Sequence, residues 1–179
     1  MGLDMYLNAK RYIGANYDFN KIEGSIDIKE GGEQIKIPFN KVTYITCEAA
    51  YWRKSNQIHQ FFVDNVQDGE DDCKSYYVER DQLNELIDLC KKDIAYLDTL
   101  ETIDSEEQED FFTKKKFSYK IYQNVNENSL NLPPQGGFFF GSTDIDEYFK
   151  KDLEDTIEQI EAALTEFDEK WDFEYRASW

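Results

Sequence analysis

Residues 42–69 read VTYITCEAAYWRKSNQIHQFFVDNVQDG, and within this one stretch the apolar period changes from that of a strand to that of a helix. Val42 to Cys47 is β-branched and aromatic, the composition that fits a pleated, half-buried surface. From Trp52 onward, Ile58, Phe61, Phe62 and Val66 recur three and four apart until Gly69 offers a C-terminal cap. The stretch therefore predicts a strand that leads directly into a short amphipathic helix.

Working outward, the same two periods recur. Toward the N-terminus, Gly2-Leu3-Asp4-Met5-Tyr6-Leu7 alternates apolar and polar residues as a first strand closed by Gly14. Ser25–Lys29 and Gln34–Ile37 flank Gly31-Gly32, whose freedom to adopt positive φ predicts a hairpin. Toward the C-terminus, Leu83, Leu86, Ile87, Cys90, Ile94 and Leu97 form one helical stripe. Phe117, Tyr119 and Ile121 alternate as a strand, and Phe138-Phe139-Phe140 reads as a short buried one behind Pro133-Pro134 and Gly136-Gly137. Ile145, Phe149, Leu153, Ile157, Ile160, Leu164 and Phe167 mark a long helix, for which Ser142 or Thr143 is the expected cap, with Thr143 and Asp146 spaced as a capping box. Trp171, Phe173 and Tyr175 alternate with acidic residues, as in a docked terminal strand. The expected fold is α+β: a single domain over residues 1–179, mainly antiparallel sheet packed with about three α-helices.

Composition bounds the function. A chain of 179 residues with 40% hydrophobic and 16% aromatic content can bury one core. Its net charge of −18, from 38 carboxylates against 20 Lys and Arg, repels phosphate backbones and anionic lipid, so direct nucleic-acid and membrane binding are disfavoured. No apolar run approaches the roughly 20 residues of a membrane helix and Met1–Leu7 lacks signal-peptide character, so the expected compartment is the cytoplasm. Three widely spaced cysteines, Cys47, Cys73 and Cys90, suit thiols better than a disulfide framework.

The acidity is regional. Residues 144–172 hold twelve carboxylates against three lysines, a net of −9, and residues 98–110 hold seven carboxylates and no cation. The second stretch reads as an acidic, solvated connection, the first as the outer face of the long helix. One reading of these zones is simple solubility; the sharper one is a surface that imitates nucleic acid, for which a continuous patch is required. Its candidate partner-binding residues are Glu106, Glu107, Glu109, Asp110, Asp152, Glu154, Asp155, Glu158 and Glu161.

A second candidate site is the polar face of the short helix. A helical projection from Ile58 places His59 inside the apolar arc, and Asn65 and Lys54 beside Phe61. Buried polar groups need partners, so His59 and Asn65 either tie the helix to nearby backbone or line a pocket with Lys54, Asn56, Ser142 and Thr143. A turn at a helix N-terminus, as at residues 136–143, can accept an anion, although capping is the simpler role.

No catalytic residue, cofactor or metal set emerges. Phosphate-loop, dinucleotide and zinc-protease motifs are missing. A calcium-loop alignment around Gly69 fails because Val66 and Ser75 fall where carboxylates are required.

The start Gly2–Leu7, the block Tyr51–His59 with Val63 and Asn65–Gly69, and Gly137–Thr143 together resemble a family of small bacteriophage and prophage proteins, nearly end to end and including the aromatic close Phe173–Trp179. That family carries no established activity, so no catalytic residue transfers. The resemblance implies an accessory protein, in a role that needs no catalysis, that binds and inhibits a basic or nucleic-acid-binding host protein, as an anti-defence factor would, in the cytoplasm of a bacterial host. The alternative is a small-molecule or nucleotide-binding protein, which an enzyme could also be, using a polar pocket around His59.

Overall fold

A computed structural model describes residues 2–14, 23–110, 113–137 and 143–179. The first strand, β1 (Asp4–Tyr12), buries Met5, Leu7 and Ala9 completely on one face and leaves Tyr6, Asn8 and Lys10 part-exposed on the other, the signature of a sheet covered on one side. A hairpin follows, β2 (Asp27–Glu30) and β3 (Glu33–Lys36), with Gly31 and Gly32 at φ 58° and 91° as the turn requires.

Strand β4 (Tyr44–Arg53) runs longer than its sequence suggested and contains Trp52, so helix α1 (Asn56–Asn65) begins four residues later than expected. Trp52 belongs to the sheet: β4 pairs Trp52 with Met5, and the indole Nε1 donates to Thr156 Oγ1 at 3.0 Å. Lys54 makes the junction at φ 63° and donates its backbone N–H to Leu3 O, so neither Trp52 nor Lys54 lies on the helix where the projection put them.

After β5 (Tyr76–Val78) comes α2 (Arg80–Leu97), whose capping box joins Glu79 and Gln82. The acidic connection at 98–110 is not a bare loop. It carries β6 (Thr102–Asp104) and β7 (Gln108–Glu109), which pair with β9 (Lys120–Tyr122) and β8 (Lys116–Phe117) respectively. The long helix, α3 (Glu147–Glu166), is capped by Asp146, whose carboxylate accepts from Tyr148 N and Phe149 N at 2.9 Å, rather than by Thr143. The expected strand Phe138–Phe140 and the alternative cap Ser142 lie outside the described residues.

The terminal strand β10 (Asp172–Ser178) inserts into the middle of the main sheet, whose order is β4-β1-β10-β5 with every pairing antiparallel. Its alternation is complete: Phe173, Tyr175 and Ala177 are buried, while Glu174 and Arg176 face outward. These side chains, with Met5, Leu7, Trp52 and Val78, merge with Ile58 and Phe62 of α1, Leu83 and Leu86 of α2, and Leu153 and Ile160 of α3 into one apolar cluster. The fold is α+β, a single domain with its helices gathered on one face of an antiparallel sheet.

Candidate functional site

His59 projects from α1 into the core side, 8% exposed, as its place on the apolar arc implied. Its Nε2 lies 3.0 Å from Asp71 Oδ1, and its Nδ1 2.7 Å from the Tyr175 hydroxyl. An ionised carboxylate only accepts, so the neutral ring carries its proton on Nε2 and receives the Tyr175 O–H at Nδ1. Burial holds the imidazole below its usual pKa, against the opposing pull of Asp71, and burial pushes the Tyr175 phenol up. The resulting Tyr–His–Asp chain is satisfied at every joint. Tyr175 is fully buried, so its hydroxyl meets no substrate, and the chain ties α1, the Asp71 loop and β10 together.

This tie has a pH sign. The folded state takes up a proton at His59 less readily than the unfolded chain, whose imidazole titrates near the ordinary value of about 6.5. Stability from neutral His59 is therefore complete above about pH 6.5 and is lost as pH falls through that value toward the lower folded pKa. Urea unfolding of wild type and His59→Gln is expected to show a stability gap that narrows on acidification from about pH 7.5 to about pH 5. A gap independent of pH would show that His59 does not titrate with unfolding.

The other sequence-derived pocket residues do not gather around His59. Lys54 sits in the strand-to-helix junction, Asn56 is buried in the first turn of α1, and Thr143 is exposed ahead of α3. Asn65 is exposed at the opposite end of α1, its Nδ2 donating to Phe61 O at 2.8 Å. Ser142 is outside the described residues.

Two polar seams escaped sequence reasoning. In one, the wholly buried Asp93 of α2 accepts from Asn131 N at 2.9 Å, Asn131 Nδ2 at 2.7 Å and Leu132 N at 2.8 Å, pinning an irregular segment to the helix. In the other, Asp152 of α3 faces the start of α1. Burial raises its carboxyl pKa against the hydrogen bonds of Ser55 and Gln57, the latter at 3.2 Å. Cys90, likewise buried, has its thiol pushed up to about 12 and stays protonated; all three cysteines are free.

The acidic candidates divide sharply. Glu107 and Glu109 meet Lys116 and Lys114 across the β7–β8 pair at 2.6 and 3.3 Å, and Asp104 beside them meets Lys120 at 2.6 Å. Asp110 accepts from Thr113 N, and Glu106 is exposed. Because Lys114, Lys115, Lys116 and Lys120 lie in residues 111–122, the net charge of 98–122 is only −3, so the expected second acidic zone is largely neutralised by its own partner strands. Along α3, Lys150 reaches Glu154 at 3.7 Å, Lys151 reaches Asp155 at 2.9 Å, and Lys91 of α2 reaches Glu161 at 2.7 Å, while Glu158 is exposed. Asp152 turns to Ser55 and Gln57 instead of outward, so the acidic face that folding leaves along α3 is narrower than the net −9 of residues 144–172 and consists of the exposed Glu147, Glu154, Glu158 and Glu161.

Among the described residues, no group of three or more His, Cys, Asp or Glu side chains is placed to hold a metal ion, and no helix is long and apolar enough to cross a membrane. The fold and its charge define the class: an acidic α+β protein with one carboxylate-rich helix face. Compared with known proteins, the chain matches no family model, no curated protein and no solved structure.

Proposed function

We propose that this chain is a non-catalytic binding protein that presses the acidic face of α3 against a positively charged surface of another macromolecule. In the bacteriophage setting that its sequence resembles, the partner is a host protein whose nucleic-acid-binding surface is occluded, and occlusion is the inhibitory act. The observation that carries the reading is the stripe Glu147, Glu154, Glu158 and Glu161, spaced seven, four and three residues apart and exposed along one side of the helix.

Magnitudes decide how literal the imitation of nucleic acid is. At 1.5 Å per residue, α3 spans about 30 Å. Its seven carboxylates against two lysines leave a net of −5, about one charge per 6 Å, whereas a single DNA strand presents one per about 3.4 Å. The face therefore supports long-range attraction and orientation of a basic partner better than a copy of duplex spacing. Lys150 of α3, whose side chain is half-buried, pairs with both Asp98 and Glu154, whereas the Lys151–Asp155 and Lys91–Glu161 pairs are solvent-exposed and of small energetic value, so a partner's lysine or arginine can displace these two.

The test is capture of partners from a bacterial host lysate by wild type and by a triple variant carrying Glu154→Gln, Glu158→Gln and Glu161→Gln. A specific partner is expected to be held at low salt, released at high salt, and bound roughly tenfold more weakly by the variant, as losing about 0.5 kcal/mol per charge implies. Equal retention by the variant would exclude α3 as the docking face.

A further inference from the structure

We propose that the cavity between α1, α2 and residues 131–135 binds a small aliphatic primary amine through the side-chain carbonyls of Gln57, Gln60, Asn65 and Asn131. The cavity holds about 310 Å³, at the small end of ligand sites, and these four amides line it together with Gln135. It lies away from the Asp71–His59–Tyr175 chain and does not rest on the docking role of α3.

The amide orientations carry the inference. An amide can present either its N–H₂ or its C=O, and ordinarily the choice is ambiguous. Here each N–H₂ faces an acceptor that takes only hydrogen bonds. Gln57 Nε2 donates to Asp152 Oδ2 at 3.2 Å, Gln60 Nε2 to Asp64 Oδ1 at 2.8 Å, Asn65 Nδ2 to Phe61 O at 2.8 Å, and Asn131 Nδ2 to Asp93 Oδ1 at 2.7 Å. Each amide is thereby fixed with its carbonyl oxygen as the remaining group, and no described donor bonds those oxygens. Gln57 as a residue is only 6% exposed, yet its oxygen is reachable from the cavity and not enclosed.

The lining thus offers these four amide carbonyls, the Gln135 amide and the Asp64 carboxylate, and among the described residues it contains no Lys, Arg or His. An anionic ligand such as a nucleotide finds no counter-charge there. A primary ammonium, with three donors and a positive charge, fits an array of oxygens, and Phe61, Leu89 and Leu132 give its methylene chain an apolar wall. One side of the site is set in advance, because Asp93 clamps Asn131 and Leu132 in place.

The test is titration of ¹⁵N-labelled protein with putrescine at constant ionic strength, read at the side-chain amide resonances. Saturable shifts are expected at Gln57, Gln60, Asn65 and Asn131. Binding is expected to weaken about tenfold in Asp64→Asn and in Gln60→Met, and to be unchanged in Glu158→Gln on the acidic helix. The uncharged 1,4-butanediol is expected to shift none of these resonances. Non-saturating shifts spread along α3, equal weakening by Glu158→Gln, or equal binding of the diol would each overturn the site, the first two by reducing it to counter-ion attraction. The backbone spectrum of each variant reports its fold in the same experiment.

Discussion

Asp93→Ala is expected to destabilise the protein by about 3 kcal/mol, a loss of roughly 6–12 °C in Tm for a chain of this size. The reasoning starts from the donors left behind. Leu132 N is buried and loses its acceptor outright, while Asn131 N and Nδ2 are near enough to the surface for water to replace part of what they lose. One full desolvation penalty and two partial ones give the estimate. The segment that Asp93 holds also inserts Leu130 and Leu132 into the core, 7% and 4% exposed, although it has only a short 3₁₀ turn of its own. Its docking therefore depends on the carboxylate more than on local structure. Asp93→Asn keeps one acceptor oxygen but turns an N–H₂ toward existing donors, and about half the loss is expected. Denaturant titration of both variants checks this; a loss below about 1 kcal/mol for Asp93→Ala would mean that water satisfies the segment.

The same residue shows where sequence reading stops. Asp93 lies three residues beyond Cys90 and four before Leu97, squarely on the apolar stripe of α2, so its burial was legible as an anomaly. Its partners lie 38 and 39 residues away in an irregular segment, and nothing local announces them. His59 behaved alike: its inward direction followed from helical spacing, whereas Tyr175 and Asp71 depended on how β10 and a loop fold back. The strand alternations of β1 and β10 and the stripes of α2 and α3 were readable because each repeats a single period. The junction after β4 was not, because Lys54 adopts a positive φ without being glycine. The acidic stretch 98–110 was misjudged for a different reason. Counted alone it is a solvated run, but Asp104, Glu107 and Glu109 are answered in reverse order by Lys114, Lys116 and Lys120, which is the pattern of opposite charges meeting across antiparallel strands.

Tyr175→Ala is expected to be the most damaging single change among those considered, at about 3–5 kcal/mol. The ring is fully buried in the middle strand of the sheet and stacks on Phe62 with centroids 3.9 Å apart and planes 8° from parallel. Truncation therefore removes both transfer energy and a packing partner on the opposing helix, and the site is closed in by Trp52 and Phe61 around Phe62, which limits collapse into the void. Tyr175→Phe separates packing from hydrogen bonding. It keeps the stack and leaves His59 Nδ1 without its donor, so about 1–2 kcal/mol is expected. Adding His59→Leu to Tyr175→Phe removes both partners of that bond. The double variant is expected to lose less than the sum of the single losses by about 1 kcal/mol, the mark of direct coupling. Strict additivity would mean that the Tyr175–His59 bond contributes nothing to stability. The consequence reaches the acidic face, because β10 follows α3 after a short connection and Arg80 pins that connection through Phe167 O. If the strand is the anchor that sets the direction of α3, Tyr175→Ala will weaken salt-sensitive partner binding without altering any carboxylate, whereas Tyr175→Phe, which preserves the packing, will leave binding intact.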